Sequence, residues 1–113
     1  MSILFIDCHS FPSELSDVDV CIGVSDDWSC PSEFLIELVM ESFRQAGYKV
    51  ALNTPFSNTI APPMNFRYDS IMIELNKRIY LNEDSLELLD SARSLKNSLN
   101  TLYGVLLRYE EEL

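Results

Sequence analysis

Basic residues are scarce in this chain, which carries eight Lys and Arg against eighteen Asp and Glu for a formal net charge of −10. Such a surface repels both a phosphate backbone and anionic lipid, so nucleic acid and membrane surfaces are excluded as expected partners. No run approaches the roughly 18 uninterrupted apolar residues of a membrane-spanning helix. The start, Met1-Ser2-Ile3-Leu4-Phe5-Ile6-Asp7, lacks the basic leader of a signal peptide, and a cytoplasmic location is expected. Cysteine is limited to Cys8, Cys21 and Cys30, an odd number without CxxC spacing. That signals neither a disulfide framework nor a cysteine zinc site, and predicts reduced thiols in packed positions. Histidine occurs once, at His9.

What is present suffices for one domain, because 113 residues at 47% hydrophobic content can bury a single core. Ile3 to Asp7 reads as a buried strand that runs into a loop before Pro12, placing Asp7, Cys8 and His9 at its C-terminal end. In open α/β sheets ligands bind at that end. Asp19 to Val24 is a second strand candidate. A helix is predicted after Ser29 as N-cap, with Pro31 in its first turn and Leu35, Leu38, Val39, Ser42 and Ala46 on one face. Gly47 closes it, and Lys49 to Asn53 returns as a third strand.

Residues 54 to 68 hold three prolines and no sustained period, a long loop of the kind that is usually functional or mobile. From Asp69 the alternation puts Ile71, Ile73 and Leu75 on one face and Met72, Glu74 and Asn76 on the other. A last helix is predicted from Asp84, where Asp84-x-x-Glu87 reads as a variant capping box. Leu88, Ala92, Leu95, Leu99, Leu102, Leu106 and Tyr109 form its apolar seam. A helix of about 25 residues would be close to 40 Å long. That exceeds what a small sheet needs, so a homo-oligomer is expected, with part of the seam as interface. The acidic positions Glu83, Asp84, Glu87 and Glu110 to Glu112 read as a solvated face. The fold class is therefore α/β: a mixed β-sheet of about four strands with flanking helices and a long C-terminal helix.

Two residues stand out chemically. His9 follows a strand beside Asp7, and a nearby carboxylate can orient an imidazole for metal binding; the other reading is a purely structural histidine. Glu74 sits mid-strand among apolar neighbours, where a bare buried carboxylate would cost several kcal/mol. It is either salt-bridged to Lys77 or Arg78, or a general base of the kind that takes a proton from water in amide hydrolysis.

Four ordered blocks resemble the N-formylglutamate amidohydrolase family. Ile6-Asp7-Cys8-His9-Ser10-Phe11-Pro12 is similar to its DCHS-x-P block, and Asp19-Val20-Cys21-Ile22-Gly23 with Ser29-Cys30 to its D-x-x-x-G…S-C block. Asn53-Thr54-Pro55-Phe56-Ser57 is similar to N-x-P-F/Y, and Ile73-Glu74-Leu75-Asn76-Lys77-Arg78-Ile79-Tyr80-Leu81 to I-E-x-N-R-x-L-Y. The resemblance implies a mixed-sheet fold of the zinc-carboxypeptidase type, a zinc cofactor, and hydrolysis of an N-acyl bond such as a formamide. It implies His9 as a metal ligand and Glu74 as the general base. It also implies that Asp7, Asn53, Asn76, Lys77 and Tyr80 support the metal ligand and base from behind or bind substrate.

The blocks match the family's C-terminal half. Its PH-x-G-like zinc block and N-R element have no counterpart here, Lys77 takes the place of an arginine, and Asn58 stands where glycine is usual. The resemblance thus implies a truncated or split zinc hydrolase, inactive alone and acting on a small N-acyl amino acid once complemented by a missing N-terminal half. The alternative is a non-catalytic remnant that serves as a binding or oligomerisation module.

Overall fold

The alternation of residues 69 to 76 sets the plan of the molecule. The computed structural model describes residues 3–112, and of 109–112 the backbone alone. Its elements are β1 (Leu4–Phe11), β2 (Val20–Gly23), α1 (Glu33–Gln45), β3 (Val50–Leu52), β4 (Asp69–Asn76) and α2 (Ser91–Glu112), with 3-10 turns at Ser13–Leu15 and Lys77–Ile79. The four strands form one sheet in the order β1-β4-β2-β3. β4 pairs parallel with β1 and antiparallel with β2, and β2 pairs parallel with β3, so the sheet is mixed as predicted.

Both helices pack on one side of this sheet. Val20, Ile22, Ile71 and Ile73 form a core with Ile36, Val39, Met40 and Phe43 of α1 and Leu102 of α2. Leu99 and Leu106 pack against the same core, as do Leu4, Ile6, Val50 and Leu75. Because strand side chains alternate, the remaining strand residues share the opposite face: Phe5, Asp7, His9 and Phe11 of β1, Ser70, Met72, Glu74 and Asn76 of β4, and Cys21 and Gly23 of β2. That second face carries no helix among the described residues. The loop between β3 and β4 lies over part of it.

Several local expectations are corrected. β1 continues to Phe11 rather than ending at Asp7, so His9 lies inside a strand whose pairing with β4 extends across the polar residues. The cap of α1 is Ser32, whose hydroxyl accepts from Leu35 N–H at 3.1 Å, while Ser29 is buried in the preceding turn. The buried face of α1 is Leu35, Ile36, Val39, Met40 and Phe43, rotated from the predicted stripe; Leu38 and Ser42 instead line a groove between α1 and α2.

α2 begins at Ser91, not at Asp84. Asn82 caps the intervening turn by accepting from Asp84 and Ser85 N–H, and Leu88 bridges to Leu81 there. The seam itself faces inward: Leu95 and Leu102 are buried, and Leu99 and Leu106 pack on the sheet core. The Tyr109 side chain and the predicted Glu110 to Glu112 face lie outside the described residues. Of the cysteines only Cys21 is packed; Cys8 and Cys30 are exposed, and all three are free. Gly47, at φ +95°, ends α1 as predicted. Among the described residues no helix is long and apolar enough to cross a membrane.

Candidate functional site

Parallel pairing brings His9 directly opposite Glu74, and antiparallel pairing brings Cys21 against Glu74 from the other side. Central β4 thus presents its carboxylate between an imidazole and a thiol, all on the helix-free face. Two residues back along β1, Asp7 shares that face, and its Oδ1 lies 2.9 Å from His9 Nε2. A carboxylate at that distance must accept from N–H, so the neutral ring carries its lone pair on Nδ1. His9 is 45% exposed and Asp7 15% exposed. The hydrogen bond to Asp7 raises the His9 pKa above its ordinary value; desolvation opposes it in part, and the charges of Asp7 and Glu74 add smaller raising effects.

Glu74 is the opposite case, being only 9% exposed. Its Oε1 is buried without a hydrogen-bond partner. Burial raises its pKa, the nearby imidazole lowers it in part, and Asp7 raises it further. No ion pair joins it to Lys77 or Arg78: the Arg78 guanidinium instead holds Asp19 Oδ1 at 3.0 Å and the Asp17 carbonyl. A desolvated carboxylate with an unused oxygen, beside an oriented imidazole at an open rim, is the physical description of a group poised to accept a proton.

The structure gives the other candidate residues different settings. Asn76 is fully buried; its amide donates to the Ser16 and Val18 carbonyls and accepts from Arg78 N–H, tying the end of β4 to the chain before β2. Asn53, at φ 55°, accepts from Val24 N–H at 3.0 Å. Lys77 opens the 3-10 turn after β4, and the Tyr80 carbonyl accepts from Leu89 N–H at 2.9 Å. Asp7, His9 and Glu74 are therefore brought together, while Asn53 and Asn76 spend their side chains on the backbone. Cys21, read from sequence as a packed thiol only, proves to be Glu74's register partner. The signal was its place on the outward parity of β2, legible only once β2 is paired with β4.

The loop over this face is fastened at several points. Cys21 Sγ donates to the Phe56 carbonyl at 3.2 Å, and the Phe56 ring meets Phe11 edge-on with centroids 5.4 Å apart. Further along, Thr59 N–H donates to Ser25 Oγ, and the Ser70 hydroxyl donates to the Ile60 carbonyl at 2.8 Å. Asn58 takes the left-handed φ of 71° that its glycine-like place in the loop requires. Between these anchors the backbone passes so close to Gly23 that any β-carbon there would collide with the Asn58 carbonyl. Gly23→Ala is therefore expected to cost about 1–3 kcal/mol by overpacking and to lift the loop. Urea denaturation reads the first effect and hydrogen exchange of the amides of residues 56–60 the second.

The resemblance implies zinc, and the described residues can be tested against it. Among them no group of three or more His, Cys, Asp and Glu side chains is placed to hold a metal ion. One imidazole, with Nε2 already engaged, falls short of the three protein ligands of a catalytic zinc site. The chain's described residues do not make such a site by themselves.

A sequence model of the N-formylglutamate amidohydrolase family matches residues 1–81. The chain belongs to that family. The match spans β1 to the turn after β4, and so includes Asp7, His9 and Glu74. The crystal structure of N-formylglutamate amidohydrolase from Ralstonia eutropha JMP134 is similar to this chain with a TM-score of 0.81 and 25% sequence identity. The similarity covers 96% of this chain and 44% of that one, so the chain spans under half the length of its structural relative. No curated protein matches it.

Proposed function

We propose that the face bearing Asp7, His9 and Glu74 is one side of the active site of an amidohydrolase that cleaves N-acyl amino acids such as N-formylglutamate. Turnover requires zinc ligands from outside these 113 residues. The observation that carries this reading is Glu74, a nearly buried carboxylate whose Oε1 has no partner and which pairs in register with His9. In the reaction Glu74 takes a proton from the water that attacks the acyl carbon and returns it to the departing amine, for which its raised proton affinity is suited. His9 is the one imidazole this chain would contribute to a metal, through Nδ1, with Asp7 fixing the ring from Nε2.

The test is reconstitution. The chain alone, supplied with zinc, is expected to release no glutamate from N-formylglutamate. Together with the N-terminal half of its structural relative it is expected to do so, and His9→Ala is expected to remove that activity. Equal rates with and without the His9 imidazole would overturn the reading. Absence of turnover in every combination, with the halves shown to associate, would favour the non-catalytic binding module.

A further inference from the structure

Phe56 occupies a place that follows from two contacts on different strands. Its main chain is held over β2, where its carbonyl accepts from Cys21 Sγ at 3.2 Å. Its ring packs edge-on against that of Phe11, a β1 residue, with centroids 5.4 Å apart. β4 lies between those strands, and along it Cys21 is the register partner of Glu74 while Phe11 is that of Asn76. A side chain held above Cys21 that meets the ring of Phe11 on the same face is directed over β4, toward the stretch that carries Glu74 and Asn76.

We propose that Phe56 is a positioning residue, its ring roofing Glu74 so that the carboxylate is met only from the His9 side. The exposures agree: Phe11 is 2% exposed, Cys21 and Asn76 are fully buried, and Glu74 is 9% exposed, whereas His9 on the far side of Glu74 stays open. The roof also accounts for an unpartnered Oε1, since an aromatic ring excludes water while offering the carboxylate no donor. The rest of the loop is fastened through Thr59 to Ser25 and Ile60 to Ser70, hydrogen bonds in which Glu74 takes no part. That the roof serves catalysis rests on Glu74 being the base; that the roof exists does not.

The experiment separates the ring from the loop that carries it. Native chain is treated with a water-soluble carbodiimide and an amine, or separately with iodoacetamide, and modification at each residue is mapped by peptide mass spectrometry. Exposed Glu37 and Glu41 are the references for carboxyl coupling, and exposed Cys8 and Cys30 for alkylation. In Phe56→Ala, coupling at Glu74 is expected to rise roughly tenfold, from a group reached only by transient opening to one open to solvent. Alkylation at Cys21 is expected to stay slow, because the backbone that covers the thiol remains. Phe56→Tyr keeps the ring and should restore the parent pattern.

Gly23→Ala, which raises the loop, should speed both reactions together. Unchanged coupling at Glu74 in Phe56→Ala would overturn the roof. A parallel rise at Cys21 would reduce Phe56 to a loop anchor and overturn it equally. If Phe56→Ala loses its cooperative unfolding transition, Phe56→Leu, which keeps apolar volume but not reach, is read by the same two rates. In a reconstituted active assembly Phe56→Ala should lower kcat with KM little changed. Failure of all reconstitution would refute the proposed function and leave the labelling result standing.

Discussion

Replacing Glu74 with glutamine is expected to abolish hydrolysis in any assembly in which this chain is active, and also to make the chain more stable. The first effect follows from loss of the proton acceptor at nearly constant shape, a change on the order of 10²–10⁴ in rate. The second follows from removal of a buried carboxylate whose Oε1 has no partner. A neutral amide in the same place is less costly, although it too lacks a partner, and the gain is about 1 kcal/mol.

pH separates this from a generic packing effect. Glu74's folded pKa is raised by burial, so its stabilising contribution is complete below its ordinary value of 4.5 and is lost as pH rises through the raised value. The advantage of Glu74→Gln over the parent should therefore be widest at neutral pH and close as pH falls toward 4.5. His9 works in the same direction in the parent, because Asp7 holds its proton: its contribution is present below 6.5 and fades above its raised pKa. Chemical denaturation of both proteins across that range is the measurement. Full activity in the variant, or a stability difference independent of pH, would count against the assignment of the base.

The second large effect lies in α2. Leu102→Ala is expected to cost about 2–5 kcal/mol, since the side chain is fully buried at the centre of the helix-to-sheet core and its loss leaves a cavity. Against a total stability of about 5–15 kcal/mol for a domain, that is a large fraction. The midpoint of urea denaturation reads it, and a shift below about 1 kcal/mol would mean that α2 is not integral to the core. The same inward packing changes what charges at Leu99 and Leu106 would report. Both residues touch the sheet core, so acidic substitutions there strike the fold of the single chain before any interface.

Much of this architecture was legible because β4 is written in strict alternation: Ile71, Ile73 and Leu75 name one face and Glu74 the other, and the structure keeps both assignments. Strand limits were harder. Asp7-Cys8-His9-Ser10 looks like a loop by composition, yet it stays extended because β4 pairs with every one of those residues, a long-range partnership that local propensity does not encode. The start of α2 lies at Ser91 rather than Asp84 for the converse reason. Asp84 and Glu87 have the spacing of a cap, but Leu86 adopts a φ of 62° and Asn82 closes a separate turn, which no helix accommodates. Glu74 was legible as an oddity, a charge in an apolar strand. Its shelter was not, because Phe56 reaches it across a loop whose path depends on Gly23.

The parallel pairing of β1 with β4 carries a consequence for how the chain acquires its chemistry. His9 and Glu74 lie on strands separated in sequence by β2, α1, β3 and a long loop, and they meet only when the ends of that whole span are closed. Contacts of such separation are the slow ones, because loop-closure entropy is lost before they form. Local structure in α1 or α2 can therefore appear early in folding without bringing imidazole and carboxylate any closer. Their encounter marks the completion of the sheet, and a partly folded chain presents no fraction of the site, only its separate halves.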